Sequence, residues 1–412
     1  MKTLLALTMV AGTCAAATPK ATVNAVTVDA LAAKVTVSYA LSDAAAIVTA
    51  KFFTNGVAVA EGDATSLFGD VNKLVAVDDT RAFEWYARHD IPDFPSCNVS
   101  VELSLWSEAN PPDYMAVNLQ VPNSVAYYTS TNALPGGIGS DRWRTGELLM
   151  RKILAKEVTF PMGKNSPDTS RITEHSVTLT KDYYIGVFEL TQAQLYNING
   201  KDLHYNTYSW TQSNKFANPM CNATRPADNL LWRTLKGTTT GTDTVEWGII
   251  GKLNAKSGLV FDLPTEAQWE FACRAGTEGN RYDTDLNAIS RNKDNGGMNG
   301  TEYWPYDVVG DKATARVGSY APNAYGLYDM YGNVNELCLD HYTALTDGQP
   351  ATNPLVKTGD GCVARGGNAE SNDLKWLSSS MRMGPNISTM TNANRGDLYG
   401  ARLAITLAAS DQ

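Results

Sequence analysis

Between Gly326 and Asp340 the chain reads GLYDMYGNVNELCLD, setting three carboxylates, Asp329, Glu336 and Asp340, in an otherwise largely apolar run. The acids are too many for an ordinary buried strand, and Gly332-Asn333 breaks the run where an ordinary helix would continue. A carboxylate drawn into an interior survives only with a compensating charge, a hydrogen-bond donor or a metal beside it. Any fold that contains this segment must be irregular there and must have a use for its carboxylates.

The rest of the chain bounds the possibilities. Its 412 residues leave room for two domains or more, and 43% hydrophobic residues can fill their cores. Only 19% of residues are charged, without long charge runs, which argues against disorder. The formal net charge is −9 and no basic stripe is present, so nucleic acid is not an expected partner. No apolar run of transmembrane length follows the N-terminus. That terminus, MKTLLALTMVAGTCAAATPKA, has the basic start, apolar stretch and small residues of an export signal. Residues 1–17 are therefore expected to be removed, leaving a mature chain from Thr18 outside the cytoplasm: periplasmic, on the cell surface or secreted. A lipoprotein reading through Cys14 stays open, although Thr13 is a poor neighbour for that chemistry.

Without the leader, Cys97, Cys221, Cys273, Cys338 and Cys362 remain, an odd number in a compartment that tolerates disulfides. No C-x-x-C pair is present, so zinc-ribbon and thioredoxin readings fail. Cys338 and Cys362 flank one loop and form the expected bridge, with connectivity left open by sequence.

Two textures follow one another. From 21 to 123, short alternating runs such as KVTVSYAL, RAFEWYA, NVSVELSLW and MAVNLQV are separated by turn formers, including Asn110-Pro111-Pro112-Asp113. This spacing predicts an antiparallel sandwich of immunoglobulin or fibronectin type, with His89 an ordinary surface histidine. Residues 124–150, with TNALPGGIGSDRW, read as a linker. Beyond it, 151–412 is loop-rich. Thr191-Gln-Ala-Gln194 is a capping box whose helix should close at Gly200. Thr265-Glu-Ala-Gln268 is a second, with a helix over Glu266–Arg274 ended by Gly276.

The segments TFPMG (159–163), YYIGVFELTQAQL (183–195), RPADNLLW (225–232), LPTEAQWEFACRAG (263–276), PNAYGLYDMYGNVNEL (322–337), ARGG (364–367) and GARLA (400–404) follow in this order. Together they resemble the formylglycine-generating enzyme, or sulfatase-modifying factor, family over roughly 153–407. The resemblance implies an α+β fold of C-type-lectin type, with two short helices, small sheets and much irregular structure. It implies a structural calcium ion held by the side chains of Asp329 and Glu336 and the backbone carbonyls of Gly332 and Val334. Calcium's demand for six to eight hard oxygens suits such a turn. A second calcium site would fall near Asn287, Ala288 and Asp311.

The family's enzymes hold copper(I) on two thiolates, four and nine residues after the paired glycines. Counted from Gly366-Gly367, those positions are Ser371 and Trp376, and neither supplies a thiolate. Copper and formylglycine chemistry by that mechanism are therefore not expected, and no catalytic residue is assigned. His175, His204 and His341 show no H-x-x-x-H spacing for iron. Other relatives bind ligands through this lectin-like surface. The segment from Asn368 to Tyr399, rich in Asn, Ser and Met with single aromatics, has the adaptable composition of a contact surface. Trp376, Arg382, Asn386 and Asn394 are its candidate ligand-binding residues. The expectation is an exported, calcium-stabilised module that binds a protein or glycan. The alternative is a metal-dependent oxidoreductase with an unassigned active site.

Overall fold

The computed structural model describes residues 17–94, 98–200, 223–228, 230–240, 244–295, 314–359, 361–371, 373–384 and 399–407. The leader up to residue 16, Cys97, His204, Cys221, Asp311, Asn386 and Asn394 lie outside the described residues. Two compact units emerge, the first up to Pro111 and the second over Pro112–Leu407.

Among its described residues the first unit is all-β apart from a 3-10 turn at Glu61–Asp63 and one short α-helical turn. Its strands are β1 (Lys20–Asp29), β2 (Lys34–Ser42), β3 (Ala46–Thr54), β4 (Val57–Ala58), β5 (Leu67–Gly69), β6 (Lys73–Val75), β7 (Asp78–Tyr86) and β8 (Val99–Trp106), with α1 at Ala87–Asp90. One antiparallel sheet runs β1-β2-β7-β5; the other runs β4-β3-β6, with β8 also paired to β3. Along β2 every second residue is buried, so Val35, Val37, Tyr39 and Leu41 meet Phe52, Phe83 and Trp85 in one core. This is the expected sandwich. His89 is exposed and stacks on Tyr86.

The second unit opens with β9 (Tyr114–Asn118), β10 (Val125–Tyr128), β11 (Glu147–Ile153), β12 (Val158–Met162), β13 (His175–Leu179) and β14 (Tyr183–Gly186). Then come β15 (Gly237–Thr240), β16 (Thr244–Trp247), β17 (Ser290–Arg291), β18 (Tyr331–Gly332) and β19 (Asn335–His341). The last are β20 (Ala351–Thr352), β21 (Cys362–Arg365), β22 (Arg382–Met383), β23 (Tyr399–Gly400) and β24 (Ala404–Thr406). Its main sheet is antiparallel in the order β10-β9-β11-β14-β24. This moves the expected boundary. The MAVNLQV strand pairs with β10 and β11 rather than with the sandwich, and 124–150 is an edge strand and structured turn, not a linker. Alternation identifies a strand but not the sheet it joins, and the true break lies at Pro111-Pro112.

Helices α2 (Gln192–Asn199), α3 (Trp232–Lys236), α4 (Ile249–Ser257), α5 (Glu266–Arg274) and α6 (Leu286–Ile289) pack around these sheets. Both capping boxes form as expected, and Gly200 closes α2 in the left-handed region. On α5 that role falls to Ala275, at φ 45°, one residue before the glycine. A second sheet, β22-β21-β19-β23, separates two cores. Leu337, Cys362 and Ala364 face one core, whereas Cys338 and Val363 face the other. The expected bridge is therefore absent: Cys338 and Cys362 are free, buried thiols on opposite faces of one sheet.

Candidate functional site

Every residue of α5 is buried, its acids included. Spacings of four place Glu266, Glu270 and Arg274 along one side of the helix. Arg382 clamps Glu266 through two bonds, Nε to Oε1 at 2.7 Å and Nη2 to Oε2 at 2.5 Å. Arg365 bonds Glu270 through Nη2, and Arg274 reaches the same carboxylate from within the helix at 2.8 Å. Gly163 adds a backbone N–H to Glu270 at 2.8 Å. These acids and arginines are interior framework: charges this deep persist because each is paired and hydrogen-bonded. Arg382, a candidate ligand contact by sequence, is fully buried and spends its guanidinium on Glu266, Arg171 and Thr343. It cannot face a ligand.

The three acids of the Gly326–Asp340 stretch each have an assignment. Asp340 Oδ2 accepts the Glu266 N–H at the start of α5 at 2.7 Å, and its Oδ1 accepts the Val356 N–H at 3.0 Å. Burial, reinforced by the Glu266 charge, raises the Asp340 carboxyl to about 6. Glu336 is gripped by Arg402: Nε lies 3.1 Å from Oε1 and 2.9 Å from Oε2, and Nη2 lies 2.7 Å from Oε1. Trp269 Nε1 donates to Oε2 at 2.7 Å. Asp329 accepts the Gly318 N–H on Oδ2 at 2.6 Å, while its buried Oδ1 has no partner among the described residues. Burial raises Asp329 to about 6, against the pull of that N–H and of Arg402.

A fourth acid completes the cluster. Glu189, fully buried, accepts from Asn333 Nδ2 at 2.6 Å and from the Val334 N–H at 3.2 Å. Burial, then the charges of Asp329 and Glu336, pushes its carboxyl well above the usual range. Gly332 makes the turn possible. Its φ is +77°, and a Cβ there would sit 2.0 Å from the Arg291 carbonyl oxygen, across the β17–β18 pairing.

This arrangement does not fit the expected calcium cage. A carboxylate offers about four lone-pair positions, and Arg402 and Trp269 make four contacts to Glu336. Asp329 Oδ1 is the one bare oxygen among the two side-chain ligands. Among the described residues no three His, Cys, Asp or Glu are grouped to hold a metal. Asn287 is exposed and bonds Asn292 through Oδ1.

The partners are spread over the chain in a fixed order: Glu189 after β14, Glu266 to Arg274 on α5, Asp329 to Asp340, Arg365, then Arg402. A family model for the sulfatase-modifying factor enzyme 1-like domain matches residues 146–407, well over half of the chain. The chain belongs to this family. Among curated relatives, the chain is 27% identical to chaperone protein LppX of Paenibacillus barcinonensis over 199 residues, 42% of this chain and 67% of that one. It is 35% identical to the formylglycine-generating enzyme of Thermomonospora curvata over 114 residues, 26% of this chain and 37% of the enzyme. The chain thus spans little more than a third of that enzyme. Among solved structures, Treponema denticola variable protein 1 aligns with TM-score 0.46 at 24% identity, covering 63% of this chain and 95% of its own. PvdO from Pseudomonas aeruginosa aligns with TM-score 0.41 at 20% identity, with coverages of 63% and 95%.

At the family's copper positions the side chains are not metal ligands of the required kind. Ser371 is half-buried, its Oγ accepting the Asn368 N–H at 3.0 Å. Trp376 is half-buried, with the Arg171 guanidinium 5.5 Å and the Lys375 ammonium 5.3 Å from its ring centroid. The described thiols are elsewhere, and burial holds them protonated. Cys273 is pushed up to about 11 and Cys362 to about 12, and Cys338 lies well above the usual thiol range. Sequence reasoning missed the roles of Glu189, Glu266, Glu270, Arg365 and Arg402. The available signal was the number of acids and arginines inside otherwise apolar motifs.

Proposed function

We propose that this chain is a ligand-recognition member of the sulfatase-modifying factor family, exported from the cytoplasm, that binds a protein or glycan on the surface around Trp376. In this reading Glu266, Glu270 and Glu336 serve as internal ion pairs that stiffen the platform. The observation that carries it is the exchange at the copper positions: a hydroxyl and an indole replace two thiolates, and no described thiol is exposed or acidic enough to substitute. Copper(I) selects soft thiolate donors, so turnover loses its metal there. What remains there is a half-exposed tryptophan with the Arg171 guanidinium over its ring, the residue types in which binding energy concentrates. The leader composition supports export.

Two arms test this. Incubated with copper(I), oxygen and a peptide containing Cys-x-Pro-x-Arg, the protein is expected to leave the cysteine intact by mass spectrometry. Formylglycine formed at a catalytic rate would end the binding reading. On a combined glycan and peptide array, Trp376→Ala is expected to weaken retained signals about tenfold or more. If every signal survives that substitution, recognition does not run through this surface.

A further inference from the structure

A concavity of the second unit shares no lining residue with the buried acids or with Trp376. Where the end of β9, the Arg142–Glu147 turn and helix α2 meet, they form an open cavity of about 490 Å³. Asn118, Gln120, Arg142, Glu147, Tyr196 and Asn197 line it, with Gly146 among them. That volume falls within the range of roughly 300–1,000 Å³ common for small-molecule sites.

Its walls are tied together by the protein's own bonds. Asn197 Nδ2 donates to the Thr145 carbonyl at 3.0 Å, and Gln194 Nε2 donates to the Glu147 carbonyl at 2.7 Å. Lys256 Nζ bridges the Leu119 and Asn197 carbonyls at 2.8 and 2.6 Å. Strand, turn and helix are thus fixed relative to one another without a ligand, which lowers the ordering cost of binding.

The lining chemistry selects the ligand class. Arg142 and Glu147 pair at 2.6 Å, so the charged side chains of the lining cancel. A phosphate, sulfate or carboxylate would meet no surplus cation. The amides and the ion pair present donors and acceptors side by side, which matches hydroxyl groups that both give and take a hydrogen bond. Asn118 has its Oδ1 committed to the Gln120 and Val121 N–H groups, leaving its Nδ2 donors for the cavity. Gln120 is exposed, and Tyr196, 41% exposed, offers an aromatic surface at the same opening. We propose that this cavity binds a neutral carbohydrate, a short oligosaccharide with one ring against Tyr196 and its hydroxyls on Asn118, Gln120 and the Arg142–Glu147 pair. The proposal is independent of the Trp376 surface.

Gly146 supplies a means of blocking the site. A Cβ added there would lie 3.8 Å from the Gln120 amide carbon, an ordinary contact, so alanine fits and a larger side chain enters the cavity. Maltotriose, cellotriose and chitotriose are titrated into the full chain by calorimetry and by saturation-transfer NMR. At least one is expected to bind with a Kd of about 1 mM or tighter. Tyr196→Ala is expected to weaken it about tenfold and Gly146→Phe to abolish it. Gly146→Ala should change it less than about twofold, with a matched melting curve. Should Gly146→Phe fail to fold, the exposed Tyr196 carries the test alone. The proposal falls if none of the three sugars binds at roughly 10 mM. It also falls if Tyr196→Ala leaves binding unchanged, or if a sulfated trisaccharide binds tighter than its neutral parent.

Discussion

Arg402 decides what Glu336 can do. Its guanidinium reaches both oxygens of that carboxylate and also the carbonyls of Gly186, Val187 and Tyr328, all from a fully buried position. Removing one partner of such a pair leaves an uncompensated interior charge, a loss of about 3–5 kcal/mol. Arg402→Met should therefore lower the unfolding free energy of the second unit by that amount in urea titrations. Since Arg402 and Trp269 use the acceptor positions of Glu336, saturating calcium or EDTA should shift the melting temperature by less than about 1 °C. A rise of several degrees with calcium would mean that the ion displaces Arg402, and the ion-pair account of these acids would be wrong.

At the level of elements, Asp340 joins β19 to the start of α5, and its raised carboxyl gives that junction a pH dependence. The folded value of about 6 exceeds the ordinary carboxylate value, so the folded state holds the extra proton between about pH 4 and 6. Its contribution is complete below the unfolded value and is lost as pH rises through 6. Asn at this position does not titrate and keeps one acceptor oxygen. The cost of Asp340→Asn, measured by urea unfolding, should thus be smaller at pH 7.5 than at pH 5, by about 1–1.5 kcal/mol. A cost that grows with pH would show the opposite shift. The Asp340–Glu266 contact spans 74 residues of sequence, and this is where legibility ended. Helix starts were readable because Thr265 and Gln268 satisfy each other within one turn. The partners of Glu266, Glu336 and Asp340 were not, because local spacing carries no record of which arginine or N–H arrives from across the sheet. The same limit misplaced Cys338 and Cys362: proximity along a loop is visible, whereas the face of the strand on which each thiol emerges depends on register.

For the whole molecule, the texture change between sandwich and loop-rich unit was legible, but the sandwich was carried past Pro111 to 123 because β9 alternates like the strands before it, and the second unit was begun only at 151. The structure makes the consequence measurable. β9 lies between β10 and β11, and Met115 and Val117 sit in one core of the second unit while Tyr114, Ala116, Tyr128 and Trp143 sit in another. Deleting a single large core side chain costs about 2–5 kcal/mol. Losing this group together exceeds the roughly 5–15 kcal/mol that holds a domain folded. A fragment beginning at Pro112 should accordingly melt in one cooperative transition close to that of the second unit in the intact chain. A fragment beginning at residue 151, where the sequence placed the boundary, lacks β9, β10 and half of β11 and should show no cooperative transition by calorimetry. If both fragments melt alike, β9 and β10 are peripheral to the second unit, and the break belongs nearer 150 than at the Pro111-Pro112 pair.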